Sequence, residues 1–154
     1  MTENTPRNSS DDEWGRRYID PEIAASRKIL LADDNETNVS FTRDFLESCG
    51  YQVFVATNGK EVLQKVEEIS PDLILMDIQM PHLNGIEATQ LLRSDPRFAT
   101  LPIIALTAFA MQGDRERFLD AGMNEYLSKP VSLRKLEQVL ARFLDKPANG
   151  NIKP

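Results

Sequence analysis

The sequence has few of the features that mark secreted, membrane-spanning or nucleic-acid-binding proteins. It contains a single cysteine, Cys49, so an internal disulfide is excluded. Its most apolar stretch, residues 101–111, is interrupted by a proline and falls short of the roughly 18 residues that a membrane span needs. Residues 1–12 are polar and do not resemble a signal peptide, so we expect a cytoplasmic protein.

Basic residues are also scarce relative to acidic ones. Lys and Arg total 18 against 24 Asp and Glu, which gives a net charge of −6, and no basic run interrupts this balance. Nucleic acid and anionic membrane surfaces are therefore poor partners. The composition is nevertheless 41% hydrophobic and 27% charged, which is typical of a folded domain.

The length of 154 residues allows one domain with short extensions. Residues 1–26 carry six acidic and three basic side chains and lack an apolar period until Ile23. We expect this tail to be mostly disordered, with a short helix at 21–26 because Asp20-Pro21 is a good helix start. A folded domain over 27–145 and a C-terminal tail over 146–154 complete the predicted organisation.

Short apolar runs alternate with segments of helical period along the predicted domain. Each run is bounded by turn or polar residues, which is typical of strands that are buried on both faces. The predicted strands are Ile29–Ala32, Val53–Ala56, Leu73–Met76, Ile103–Leu106 and Tyr126–Leu127. The predicted helices lie at 39–49, 62–69, 85–93 and 114–121, followed by a fifth that Ser132 caps and that extends to Phe143. Five such units indicate a parallel sheet with helices on both faces.

Polar side chains follow these runs where each strand ends. Asp33 and Asp34 follow the first strand, Asp77 the third and Thr107 the fourth, and Lys129 comes just after the fifth. Each has an ordinary structural explanation alone, but ligands of open parallel sheets bind at the carboxyl ends of the strands. Three carboxylates there repel one another unless a cation joins them, and oxygen ligands suit Mg²⁺. A lysine and a hydroxyl beside that metal supply what a transferring phosphoryl group needs.

Several motifs carry a resemblance to a known family. They are Asp33-Asp34-Asn35, the stretch Asp72–Pro81, Asn84-Gly85, Leu106-Thr107-Ala108 and Tyr126–Pro130. Over about Arg27 to Leu144 the chain resembles the receiver domain of two-component response regulators, and within it the hybrid-kinase and phosphorelay type. The resemblance implies an α/β, flavodoxin-like, doubly wound five-stranded parallel sheet of order 2-1-3-4-5 with five helices.

The resemblance also implies roles for the residues at the strand ends. Asp77 is expected to accept a phosphoryl group, with Mg²⁺ held by Asp33, Asp34, Asp77 and the backbone carbonyl of Gln79. Asp34 is expected to be a direct ligand and Asp33 to act through water. Lys129 is expected to pair with a phosphoryl oxygen.

A second group of residues is expected to respond to the phosphate. Thr107 is expected to hydrogen-bond a phosphoryl oxygen, and Tyr126 to turn inward behind it. The small Ala108 leaves access to Asp77, and the peptide before Pro130 is expected to be cis.

The same resemblance suggests the partners. His82, the only histidine, is expected to be a rim side chain, so the phosphoryl donor is a separate histidine kinase or histidine phosphotransfer protein. A downstream protein target is expected to bind the face formed by the helix at 114–121, the fifth strand and the last helix. The protein is expected to be a single-domain signalling switch, monomeric or weakly dimeric when phosphorylated, that catalyses only its own phosphoryl transfer and slow autodephosphorylation.

Two other functions compete with this interpretation. An unphosphorylated docking module is the first, but the complete set of acidic, hydroxyl and lysine residues argues against it. A metal-dependent phosphatase is the second, but that class usually has an acid two residues after its nucleophile, where this chain has Gln79. Flavin binding is disfavoured because no Gly/Ser/Thr-rich loop follows the first strand.

Overall fold

The computed structural model describes residues 21–108, 111 and 113–144. The strands are β1 Lys28–Ala32, β2 Gln52–Ala56, β3 Leu73–Asp77, β4 Ile103–Thr107 and β5 Glu125–Ser128. The helices are α1 Pro21–Ala25, α2 Glu36–Ser48, α3 Gly59–Ile69, α4 Gly85–Arg93, α5 Asp114–Ala121 and α6 Leu133–Leu144, with a 3-10 turn at Pro96–Phe98. The interpretations of residues 1–20 and 146–154 fall outside the described residues.

The five strands form one parallel sheet in the order β2-β1-β3-β4-β5, which confirms the predicted flavodoxin-like topology. The strand order reverses around β1, because β2 lies on one side of it and β3 on the other. Leu31 of β1 pairs with Val55 of β2 and with Leu75 of β3. This reversal is the position where doubly wound sheets bind ligands, and it brings the ends of β1 and β3 together.

The described part of the chain has six α-helices rather than the five predicted for the domain. The additional one is α1, the short helix expected at 21–26 outside that domain, and Pro21 occupies its first helical position. Ala24 is fully buried against Gly50, where an added Cβ would lie 3.5 Å from the Ala24 Cβ. Gly50 has φ +105°, a backbone conformation that favours glycine after α2. The helix α1 therefore packs on the domain rather than extending from it.

The core has two layers, one on each face of the sheet. Ile29 and Leu31 pack with α1, α2 and α6, whereas Leu30 and Ala32 pack with α3, α4 and α5. Strands β3 and β4 are completely buried, as predicted. For β2 and β5 the prediction of burial on both faces is wrong, because these strands lie at the sheet edges and the helices cover them only in part.

Asparagine caps begin three of the helices that start near the carboxyl end of the sheet. Asn35, Asn58 and Asn84 accept backbone hydrogen bonds at the first turns of α2, α3 and α4. Ser132 Oγ, as predicted, accepts from the Lys135 amide at 3.3 Å at the start of α6. Each cap satisfies a backbone amide that the helix leaves without a partner, and so holds the preceding loop in place. Over the described residues we find no helix with the length and apolar character of a membrane span.

Candidate functional site

Three carboxylates converge at the carboxyl ends of β1 and β3. Asp33 and Asp34 follow β1, and Asp77 is the last residue of β3. One oxygen from each lies within 4.8 Å of the others. Asp33 and Asp77 are buried, with 1% and 6% of their surface exposed, whereas Asp34 is exposed. The tertiary structure therefore brings together the acidic residues that the sequence places at two strand ends.

Backbone amides hold the two buried carboxylates in place. The amide of Asn35 donates to Asp33 Oδ1 at 2.9 Å, and the amide of Gln79 donates to Asp77 Oδ1 at 3.3 Å. The Asp33 amide itself donates to the Ala56 carbonyl at 3.0 Å, which continues the pairing of β1 with β2. The oxygens are thus oriented by the sheet and by the turns that follow it.

Lys129 bridges the two buried acids. Its Nζ lies 3.0 Å from Asp33 Oδ2 and 3.2 Å from Asp77 Oδ1. The backbone amide of Lys129 donates to the Thr107 carbonyl at 2.8 Å, which places the lysine just beyond β4 and β5. The peptide between Lys129 and Pro130 is cis.

The electrostatics of the site favour an added cation. Burial raises the pKa of Asp77 to about 6, and the charge of Asp33 adds to that effect while Lys129 opposes it. Burial lowers the pKa of Lys129, but the hydrogen bond to Asp33 and the charge of Asp77 outweigh it, so the net pKa lies above its ordinary value. Three carboxylates facing one ammonium leave excess negative charge in a largely buried site, and oxygen-only ligands of this kind fit a small divalent cation.

The other predicted residues lie in β4, in β5 and in the loops that follow β3 and β4. Thr107 is the last residue of β4 and is buried, and Ala108 after it is exposed. Tyr126 in β5 is half-buried, with its ring centroid 6.0 Å from that of Phe118 in α5. Gln79 is exposed in the loop after β3, two residues beyond Asp77.

His82 lies in the same loop, between β3 and α4. It is exposed and has φ 69°, an unusual conformation for a residue other than glycine. The Leu83 amide donates to the Pro81 carbonyl at 2.7 Å, so the chain makes a tight turn around His82. The exposure of His82 agrees with the expectation that its side chain lies at the rim of the site.

A cavity of about 260 Å³ opens beside the cluster, and the sequence did not indicate it. Its lining includes the charged side chains of Asp33 and Lys129 and the apolar side chains of Phe41 of α2 and Val131 after β5. Phe41 is 54% exposed, which is high for a large aromatic side chain. The buried side of α2 includes the neighbouring Thr42, so a helical-wheel projection places Phe41 beside that buried side rather than on it.

Comparison with known proteins agrees with this geometry. The family model of the response regulator receiver domain matches residues 29–141. The polar-differentiation response regulator DivK of Brucella anthropi is 41% identical over 118 residues, which cover 77% of this chain and 96% of that protein.

Solved structures show the same similarity. The receiver domain of sensor histidine kinase PA1611 from Pseudomonas aeruginosa PAO1, with a magnesium ion coordinated in its active site cleft, has a TM-score of 0.71 and 42% identity. The match covers 77% of this chain and 97% of that one.

The receiver domain of Ssk1 from Saccharomyces cerevisiae, in complex with the histidine phosphotransfer signalling protein Ypd1, has a TM-score of 0.75 and 30% identity. Here the match covers 82% of this chain and 93% of that one. The chain therefore belongs to the family of response regulator receiver domains of two-component signalling.

Proposed function

We propose that the domain, assigned to residues 27–145, is a phosphorylation-controlled switch that accepts a phosphoryl group on Asp77. The observation that carries this proposal is the placement of Asp77. It is a buried carboxylate at a strand end, with the Lys129 ammonium 3.2 Å away and two further carboxylates within 4.8 Å. This arrangement provides a nucleophile together with the charges that a phosphoryl group requires.

The donor in this proposal is a phosphohistidine on a separate protein. Oδ1 of Asp77 contacts both Lys129 and the Gln79 amide, so we assign the attack to Oδ2. Oδ2 forms a bond to phosphorus while the bond from phosphorus to the imidazole nitrogen breaks. The nitrogen keeps the electron pair of that bond, and the product is an acyl phosphate on Asp77.

The residues present fit Mg²⁺, and we assign its ligands to Asp34, Asp77 and the Gln79 backbone carbonyl, with Asp33 acting through water. Bound there, Mg²⁺ supplies positive charge to the phosphoryl oxygens. Lys129 adds a second positive charge close to Asp77, and its contact with Asp33 keeps the ammonium oriented before the phosphoryl group arrives. Thr107, buried at the end of β4, is assigned to donate to another phosphoryl oxygen, with access provided by Ala108.

The donor protein is assigned to the cavity beside the site. The apolar walls around Phe41 and Val131 open next to Lys129 and Asp33, so a protein seated there brings a phosphohistidine to Asp77. The complex of the Ssk1 receiver domain with Ypd1 supports a histidine phosphotransfer protein as donor, and a histidine kinase presents the same chemistry. The signal is then passed on by the face formed by α5, β5 and α6, where Tyr126 turns inward behind Thr107.

The first experiment tests the acceptor. Incubation with acetyl phosphate and Mg²⁺ should add one phosphoryl group by intact-protein mass spectrometry. Asp77→Asn should abolish that addition, while Asp44→Asn, at an exposed acid on α2, should leave it unchanged. If the wild-type protein gains no phosphoryl group, the docking-module function is favoured. If Asp77→Asn still gains one, another residue is the acceptor.

The second experiment tests the donor site. Phe41→Ala should slow transfer from a phosphorylated histidine phosphotransfer protein but leave labelling by acetyl phosphate intact, because the small donor needs no docking surface. Leu91→Ala is the matched control, since Leu91 of α4 is similarly exposed at 50% but does not line the cavity. Equal loss with both donors would show that Phe41 acts on the site itself rather than on docking.

A further inference from the structure

One side of α6 is positively charged in an otherwise acidic protein. Four residues of this helix are exposed, Arg134, Lys135, Gln138 and Arg142, and we call them the α6 stripe. Positions 134, 138 and 142 repeat every four residues and so line one side of the helix. Within α6, which the structure describes completely, the single acidic residue, Glu137, is buried. The stripe therefore presents cations and an amide, with no exposed acid of its own helix.

The position of Arg142 is held by one contact with β5 and one with the next residue of α6. Its guanidinium donates to Glu125 Oε2 at 3.2 Å and lies 4.9 Å over the ring of Phe143. The side chain is nonetheless 59% exposed. Such a cation is oriented in advance and still accessible to a further anionic partner.

The chain itself contains an anionic segment near its N-terminal end. Asp11, Asp12 and Glu13 are consecutive, and Trp14, the only tryptophan, follows them directly. They lie before α1, so the position of α1 decides which surfaces they can reach.

The helix α1 is anchored beside the carboxyl end of α6. Ala24 is buried in the same core cluster as Leu140 and Leu144 of α6. Just after α1, Arg27 Nε donates to the Leu144 carbonyl at 3.3 Å. The described chain therefore starts next to the end of α6 that carries Arg142.

The chain between Trp14 and α1 is long enough for the acidic run to reach the α6 stripe. Six residues lie between Trp14 and Pro21, and the seven residue steps from Trp14 to Pro21 span up to about 23 Å when extended. The α6 stripe, from residue 134 to 142, is about 12 Å long. The acidic run can thus lie along the whole stripe without any change in the folded domain.

We propose that residues 10–14 dock on the α6 stripe of the same molecule, with the carboxylates of residues 11–13 against the cations of α6. The contact is a set of exposed ion pairs, so it weakens as salt rises. It is independent of the phosphoacceptor assignment, because none of its residues belongs to the strand-end cluster. Since α6 is part of the face assigned to the downstream partner, the docked segment would compete with a partner that binds there through acidic side chains.

Trp14 provides the first test in the full-length protein. In Lys135→Glu, and in wild-type protein at about 1 M NaCl, acrylamide should quench its fluorescence more strongly because the docked segment is released. Lys60→Glu is the matched control, since Lys60 is an exposed cation of α3, whose buried residues pack on the opposite face of the sheet. The charge swap Asp12→Lys with Lys135→Glu should restore protection. Identical quenching in wild type, Lys135→Glu and the swap would overturn the proposal.

A nitroxide label gives the second test. Attached at Ser9→Cys in a Cys49→Ser background, it should remove most of the amide signal intensity of residues 134–142 in NMR spectra. Reducing the nitroxide should recover that intensity. Undiminished signals in α6 would overturn the proposal. A mixture of nitroxide-labelled protein with separate, unlabelled ¹⁵N-protein should keep its α6 signals. Loss of α6 signal intensity in that mixture would also overturn the proposal, because the contact would then join two copies.

Discussion

The backbone amide of Gly59 donates a hydrogen bond of 2.9 Å to the carbonyl oxygen of Leu83. Gly59 is the first residue of α3, and Leu83 lies in the loop that follows Asp77 and carries Gln79. A Cβ at position 59 would overlap the Leu83 carbonyl oxygen and lie 2.8 Å from the Leu83 Cβ. Because Gly59 has no side chain, the start of α3 can hold this loop against the site.

Replacing Gly59 with alanine should therefore disturb both the fold and the metal site. We expect Gly59→Ala to lower the free energy of unfolding by about 1–3 kcal/mol, since backbone atoms must move to relieve the overlap. Mg²⁺ affinity should fall as well, because the loop carries the carbonyl of Gln79. Urea unfolding and calorimetric titration measure the two effects, with Lys60→Ala as an exposed control on the same helix. Unchanged stability would show that the loop adapts without cost.

The stability of the metal-free protein should depend on the ionisation of Asp77. Its pKa of about 6 in the fold lies above the ordinary 3.8, so the folded state binds a proton more tightly than the unfolded state. The stability contribution is fully present below about pH 4 and is lost as the pH rises through 6. At pH 7.5 in EDTA, Asp77→Asn should therefore be more stable than wild type, by about 2–3 kcal/mol.

Thermal or urea unfolding over pH 4 to 8 checks this dependence. The advantage of Asp77→Asn should shrink towards pH 4 and also when saturating Mg²⁺ is added to both proteins. An advantage that stays constant with pH would mean that the substitution acts through packing rather than charge.

Asp34 and Asp33 should differ in their effect on Mg²⁺. We expect Asp34→Ala to weaken Mg²⁺ binding by about tenfold or more, because it removes a direct ligand. Asp33→Ala should weaken it less, although it also removes the 3.0 Å contact with Lys129. Calorimetric titration of both variants gives the comparison. Equal affinities would count against these two assigned roles.

Thr107 and Lys129 should separate phosphorylation from switching. Thr107→Ala should still accept a phosphoryl group but should shift the conformation less, because one charge-assisted hydrogen bond of about 1.5–3 kcal/mol is lost. Lys129→Ala should impair both, with transfer slowed by roughly 100-fold. NMR of the Tyr126 region with a beryllofluoride phosphate mimic measures the switch. Full wild-type shifts in Thr107→Ala would show that the hydroxyl does not link the site to the surface.

Local patterns in the sequence were enough to predict most of the fold. Buried strands β3 and β4 are continuous apolar runs, and α4 and α5 have the bounds that their flanking residues predict. The strand order and the roles of the site residues came from the motifs of the resemblance, whereas the set of three aspartates, a threonine and a lysine was already indicated by its position at the strand ends. Burial of β2 and β5 was overestimated, because the sequence of a strand does not say whether it lies at the edge of the sheet.

Contacts between distant elements were decided only by the tertiary structure. Lys129 and Asp33 are 96 positions apart, and their 3.0 Å contact depends on how β5 and β1 end relative to each other. Arg93 of α4 likewise donates to the carbonyls of Phe98 and Gly122 and to Asn124, which ties α4 to the loop before β5. The sequence determines periodicity, caps and the residues at strand ends, because these depend on neighbours along the chain. Which side chains then meet depends on the packing of helices across the sheet, and that packing brings Gly59 to Leu83 and opens the cavity beside Phe41.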